Sequence, residues 1–233
     1  MDQSAPRAVA SAATGPASAI AHRRYRPDEI RADRCVHVVG VVAGGLGALG
    51  LLTAAALRSD AWLVLGVGIY ALGLLAMLSL SASYNLASPS PFKENLRRFD
   101  HAAIFTMIAG TYTPFFLNRV GGGWAAGMLS FVWVVALSGA LLAIVAPRRH
   151  EKFQIAVYLL LGWSVVIARQ PLGDHLSETA GNLLIAGGLV YSLGVPVHLW
   201  RKLRFNNAIW HALVLTAAGC HYIAVLIGVV LAD

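Results

Sequence analysis

Seven stretches of this chain are apolar over a length that matters, and short polar or Gly- and Pro-containing breaks separate them. They run roughly over residues 35–57, 61–83, 99–117, 124–146, 153–171, 178–200 and 209–231. Each is close to the ~20 residues a helix needs to cross a bilayer. The two-residue alternation of barrel strands is absent, and no hydrophilic stretch between the segments is long enough for a soluble domain. The pattern therefore predicts an all-α membrane protein, a seven-transmembrane-helix bundle spanning residues 35–233. Residues 1–34 fall outside it. Their Ala-, Ser- and Pro-rich opening predicts a disordered tail and lacks the basic start and unbroken apolar run of a secretory signal. Arg23, Arg24 and Arg26 follow, a juxtamembrane cluster suited to anionic headgroups.

Composition agrees. Charged residues make up 12% of the chain and hydrophobic ones 58%, whereas a soluble domain carries about 25% charged residues. The net charge of +7 would suit nucleic acid, but no helix-turn-helix, zinc-finger or RNA-binding signature accompanies it. In a lipid-embedded chain, basic residues mark cytoplasmic loops, so membrane lipids are the expected partners and nucleic acid is not. The distribution of charge fixes an orientation. Of the 18 Lys and Arg residues, all but Arg58, Arg119 and Arg169 lie in the N-terminal tail or in the second, fourth and sixth connections. The positive-inside rule then places the N-terminus in the cytoplasm and the C-terminus outside a cell (inner) membrane. Cys35 and Cys220 fall at opposite depths, which disfavours a disulfide. The frequent glycines within the segments are expected to let helices approach closely.

With that orientation, polar side chains gather at the cytoplasmic level. The first segment brings Glu29, Asp33 and His37, spaced four apart on one face. The second ends through Ser79, Ser81, Ser83 and Asn85, the third opens with Asp100 and His101, the sixth ends with His198, and the last opens with Asn206, Asn207 and His211. Two explanations remain open. Asp33, Asp100 and Asn207 could cap helices, or the set could line a pocket that holds a metal, a proton relay or a lipid headgroup. Capping does not account for His37 and His211, a turn further in, or for His221, about 15 Å deeper along its helix.

These residues resemble the haemolysin III proteins, bacterial relatives of the progestin and adipoQ receptors. The resemblance covers nearly the whole chain after the tail. It rests on Ala32-Asp33-Arg34-Cys35-Val36-His37, on Asp100-His101-Ala102-Ala103-Ile104 with Ala109-Gly110-Thr111-Tyr112-Thr113-Pro114, and on Ala208-Ile209-Trp210-His211 with Cys220-His221-Tyr222. It implies seven helices with the N-terminus inside, and an intramembrane zinc near the cytoplasmic face. The implied ligands are a His ending a Ser-x-x-x-His motif on the second helix and both histidines of a His-x-x-x-His motif on the last, with a Ser and an Asp beside the metal. Here the sequence departs. Asn85 and Asn207 stand where two of the metal positions call for His; His211, Ser81 and Asp100 are retained. Zinc prefers imidazole or thiolate donors, and an amide oxygen is a poor substitute.

Three functions follow from the resemblance and its departure. The first is a non-catalytic lipid-binding, sensing or structural member that keeps the cavity without the metal. A second is a zinc-dependent lipid amide hydrolase resembling the related ceramidases, with Asp100 as general base and Ser81 positioning the water or oxyanion. The third is the pore-forming or cytolytic activity that the family name suggests, for which no charged selectivity ring is apparent. His37, His101 and His221, with Asp33, are the further polar candidates for the cavity. A topology reporter fused to Asp233 should read as extracytoplasmic; a cytosolic signal would reverse the orientation on which the gathering of polar groups depends.

Overall fold

The computed structural model describes residues 25–146 and 151–232. Among these residues it is all-helical, with eight α-helices. They are α1 (Pro27–Leu57), α2 (Ala61–Leu86), α3 (Pro91–Phe115), α4 (Gly122–Val145), α5 (Glu151–Trp163), α6 (Arg169–Gly173), α7 (Glu178–Leu199) and α8 (Asn206–Val225). Single π-turns extend α3 over Phe116–Val120 and α8 over Leu226–Val230. Five helices, α1, α2, α4, α7 and α8 with its π-turn, are long and apolar enough to cross a membrane. The third and fifth expected segments differ. The opening turns of α3 carry Lys93, Glu94, Arg97 and Arg98, and α5 is only 13 residues long.

Local chemistry explains the ends. Asp60 accepts from the Trp62 and Leu63 amides at 2.8 and 3.2 Å to start α2. Ser90 caps α3 and is followed by Pro91, a residue whose fixed φ suits a first turn. Gly121, at φ 63°, breaks α3 from α4 in a conformation costly for residues with a Cβ. The segment expected over 153–171 does not continue as one helix. Beyond Trp163 the chain tightens into a 3₁₀ turn, where the buried Tyr112 hydroxyl reaches the Leu161 and Gly162 carbonyls at 3.0 and 2.8 Å and Ser164 Oγ at 3.0 Å. Carbonyls left over when a helix ends need such partners in a dry interior.

Three sequence expectations are corrected here. Residues 27–34, expected in the tail, already belong to α1; the rest of the expected tail up to residue 24 lies outside the described residues. The third helix starts at Pro91 rather than near residue 99. Asp33 and Asp100 do not cap their helices: Arg26 and Ser90 hold those positions, and Phe205, not Asn207, occupies the cap of α8. The charged and polar residues therefore sit inside their helices and need other partners.

The helices close into a ring in which α1 touches α2 and α8, α2 packs on α3, α5 bridges α3 and α7, and α7 packs on α8. Helix α4 lies against the outside of α3, where Trp133 Nε1 donates to Thr113 Oγ1 at 3.1 Å. The α2–α3 seam is held close by small residues. A Cβ on Gly73 would lie 3.4 Å from both Met107 Cα and the Thr106 carbonyl oxygen. A larger side chain there must push backbone against backbone. Gly73→Leu should lower stability by about 1–3 kcal/mol, read as an earlier thermal unfolding transition in detergent; an unchanged transition would show that the seam is looser than described.

Candidate functional site

The polar face of α1 is buried, with Glu29, Asp33 and His37 only 4%, 7% and 6% exposed. It meets the start of α8. Glu29 accepts from the Arg26 amide at 2.9 Å and from the Phe205 amide at 2.9 Å, so one carboxylate serves the N-termini of both helices. One turn deeper, Asp33 Oδ1 lies 2.6 Å from His211 Nδ1. Another turn on, His37 Nε2 stands 3.7 Å from Asp33 Oδ2, and its ring tilts against that of His211 with centroids 4.3 Å apart.

The Asp33 contact decides the chemistry of His211. A carboxylate only accepts, so Nδ1 is the donor, and in a neutral ring Nε2 then carries the lone pair. Facing it is Asn85 Nδ2 at 3.5 Å. That same amide nitrogen lies 2.9 Å from the Ser81 carbonyl oxygen, while Asn85 Oδ1 accepts from Asn207 Nδ2 at 3.4 Å. Tyr25 donates its hydroxyl to Asn207 Oδ1 at 3.3 Å. Asp100 sits beside the Ser81 hydroxyl. Asn85, Asn207 and His211 thus converge, but as a chain of hydrogen bonds. In this arrangement the Asn85 nitrogen faces the imidazole lone pair and the Asn85 oxygen is taken by Asn207. The residues at the motif positions do not fit the zinc that the resemblance implies.

All of these groups border one cavity of about 1610 Å³ walled by α1, α2, α3, α5, α6, α7 and α8. Arg34, Lys93, Arg97, Arg201 and Lys202 line the end beside the α2–α3 and α7–α8 connections. Further in, the wall becomes apolar through Met107, Ile108, Phe115, Phe116, Leu172 and Leu184. His101 and His221 line the cavity but stand apart from the Asp33–His37–His211 group. His101 accepts the Tyr158 hydroxyl on its carbonyl at 2.9 Å, and His221 Nε2 lies 3.3 Å from the Leu184 carbonyl oxygen.

A family model described as haemolysin-III related matches residues 32–222. The chain belongs to that family. It is 33% identical over 195 residues to a Bacillus subtilis protein named hemolysin-3 homolog, covering 84% of this chain and 92% of the relative. It is 32% identical to hemolysin-3 of Bacillus cereus, over 84% of this chain and 89% of that one. The human monocyte to macrophage differentiation factor is 30% identical over 217 residues, 88% of this chain and 87% of its own. This haemolysin-III relative is accordingly a multi-pass membrane protein, with Asp33, His37 and His211 grouped where α1 meets α8.

The 29/33/37 spacing was visible in the sequence, but its contact with His211 was not, since the two sets of residues lie about 180 positions apart. Tyr191, which lines the cavity, carried no spacing signal, and Tyr112 entered only as part of the Ala109–Pro114 motif. Replacing Glu29 by Ala should strip two helix-end amides of their acceptors and lower stability by about 1–3 kcal/mol, and Glu29→Gln, which keeps only one of the two accepting oxygens, should lose less than Ala but more than nothing. A detergent melt unchanged by Glu29→Ala would show that the two amides do not rely on this carboxylate.

Proposed function

We propose that this haemolysin-III relative is a non-catalytic member that binds a membrane lipid in its cavity. The observation that carries the reading is the closed Asn85–Asn207–His211 hydrogen-bond chain at the positions where the resemblance calls for metal ligands. Polar groups in an apolar interior are retained when they satisfy one another across helices, and the two amides do so. The shape and lining of the cavity support the ligand class. Arg34, Lys93, Arg201 and Lys202 at its polar end suit an anionic headgroup, Arg97 being paired with Glu94; its apolar depth suits an acyl chain, and its volume accommodates a sizeable part of one amphiphile.

Full-length protein purified in mild detergent should retain lipid detectable by mass spectrometry of the extracted complex. Ile108→Trp, which fills the apolar wall, should lower that retention at least fivefold while leaving the protein folded. Equal retention by both would count against the cavity as the binding site. Turnover of a ceramide or another lipid amide by the purified protein would overturn the non-catalytic part and favour Asp100 and Ser81 as hydrolytic groups. Dye release from liposomes above background would instead favour the activity named in the Bacillus relatives.

A further inference from the structure

Burial without partners is uncommon for a polar atom in a folded interior, and His37 Nε2 is such an atom. The residue is 6% exposed, and Nε2 has no hydrogen-bond partner among the described residues. It is aimed at Asp33, whose Oδ2 lies 3.7 Å away, beyond hydrogen-bond reach. Asp33 in turn holds His211 Nδ1 at 2.6 Å. One ligand atom from each of Asp33, His37 and His211 lies within 4.8 Å of the others.

We propose that Asp33, His37 and His211 form a site for one divalent transition ion, zinc by the chemistry of its donors, which clamps α1 to α8. Two imidazoles and one carboxylate are a donor set that zinc accepts, with ligand distances of about 2.0–2.2 Å. The Asp33–His211 and Asp33–His37 separations of 2.6 and 3.7 Å bracket the ligand-to-ligand spacing of about 3.3 Å that those bond lengths give in a tetrahedral shell. On binding, the ion takes the place of the Nδ1 proton that His211 gives to Asp33; in a neutral ring that proton moves to Nε2, so the imidazole stays neutral. A fourth position would remain open towards the cavity, which all three residues line.

The site is distinct from the one implied by the Ser-x-x-x-His and His-x-x-x-His motifs. Those motifs draw on α2 and α8 and would use the face of His211 that meets Asn85. The present one draws two of its three ligands from α1 and uses the opposite ring nitrogen of His211. The proposal does not depend on whether the cavity holds lipid.

The test loads chelator-stripped, full-length wild-type protein in detergent with zinc alone, counts the metal and records its X-ray absorption. About one zinc per chain with two imidazoles and oxygen donors in the coordination shell is the expected result. A single imidazole would overturn the proposal, because the site requires both His37 and His211. No zinc retained, or several ions bound weakly without a defined shell, would overturn it as well. Titrations then separate the faces. His37→Gln and Asp33→Asn should each weaken zinc at least tenfold, and Asn85→Ala should leave it within twofold. The reverse order would contradict the assignment. The wild-type spectrum decides the matter even if a variant fails to fold.

Discussion

The contact between Asp33 and His211 joins the first long helix to the last, and the ring of helices closes there. A carboxylate placed inside an apolar bundle is strongly disfavoured unless a donor meets it. Here the donor comes from the far end of the sequence, 178 residues away. Every helix along the path must therefore be laid down so that α8 returns to α1 at the right depth. Around this contact the neighbouring polar groups follow in turn: Glu29 one turn towards the tail ties the amides at both helix starts, and His37 one turn inward sets its ring at a tilt against that of His211.

That seam also shapes the cavity. Because α1 and α8 are joined through polar groups, their remaining faces and those of α2, α3, α5, α6 and α7 enclose a space that is polar at one end and apolar at the other. Helix α4 stays outside and lends no side chain to the wall. The fold thus separates two tasks. The α2–α3 and α3–α4 seams depend on small residues and close packing, as at Gly73 and at Gly139, which faces the ring of Phe105. The α1–α8 seam depends on hydrogen bonds and burial of charge. The residues of the second kind of seam, Glu29, Asp33, His37 and His211, face the cavity, so a ligand held there would bear on the closure of the ring.

Much of this is legible in the amino-acid sequence. Apolar length located the helices, because the bilayer sets it, and the motifs around Asp100 and His211 identified the family. The ends of α1 and α3 were read too late because their first turns are polar; a hydropathy pattern cannot distinguish a solvated helical turn from a loop, whereas Pro27, Ser90 and Pro91 could have marked them. The break after Trp163 escaped because it depends on Tyr112, which lies some 50 residues away and takes up the carbonyls there. At the site, the four-residue spacing of Glu29, Asp33 and His37 showed that one face of α1 needed a polar partner. It could not name His211, since periodicity within one helix is silent about which other helix it meets. The amide pair was visible as a departure from a motif, and only the structure shows that the two amides bond to each other.

The central claim is that Asp33 and His211 act as one unit in closing the bundle. A double-mutant cycle with Asp33→Asn and His211→Asn, followed by unfolding of the metal-free protein in detergent, tests it most directly. Each single change should be strongly destabilising and the double change should add little, giving a coupling energy of about 1–3 kcal/mol. Additive effects, with no coupling, would mean that the two side chains are merely near one another and that the ring is held shut elsewhere.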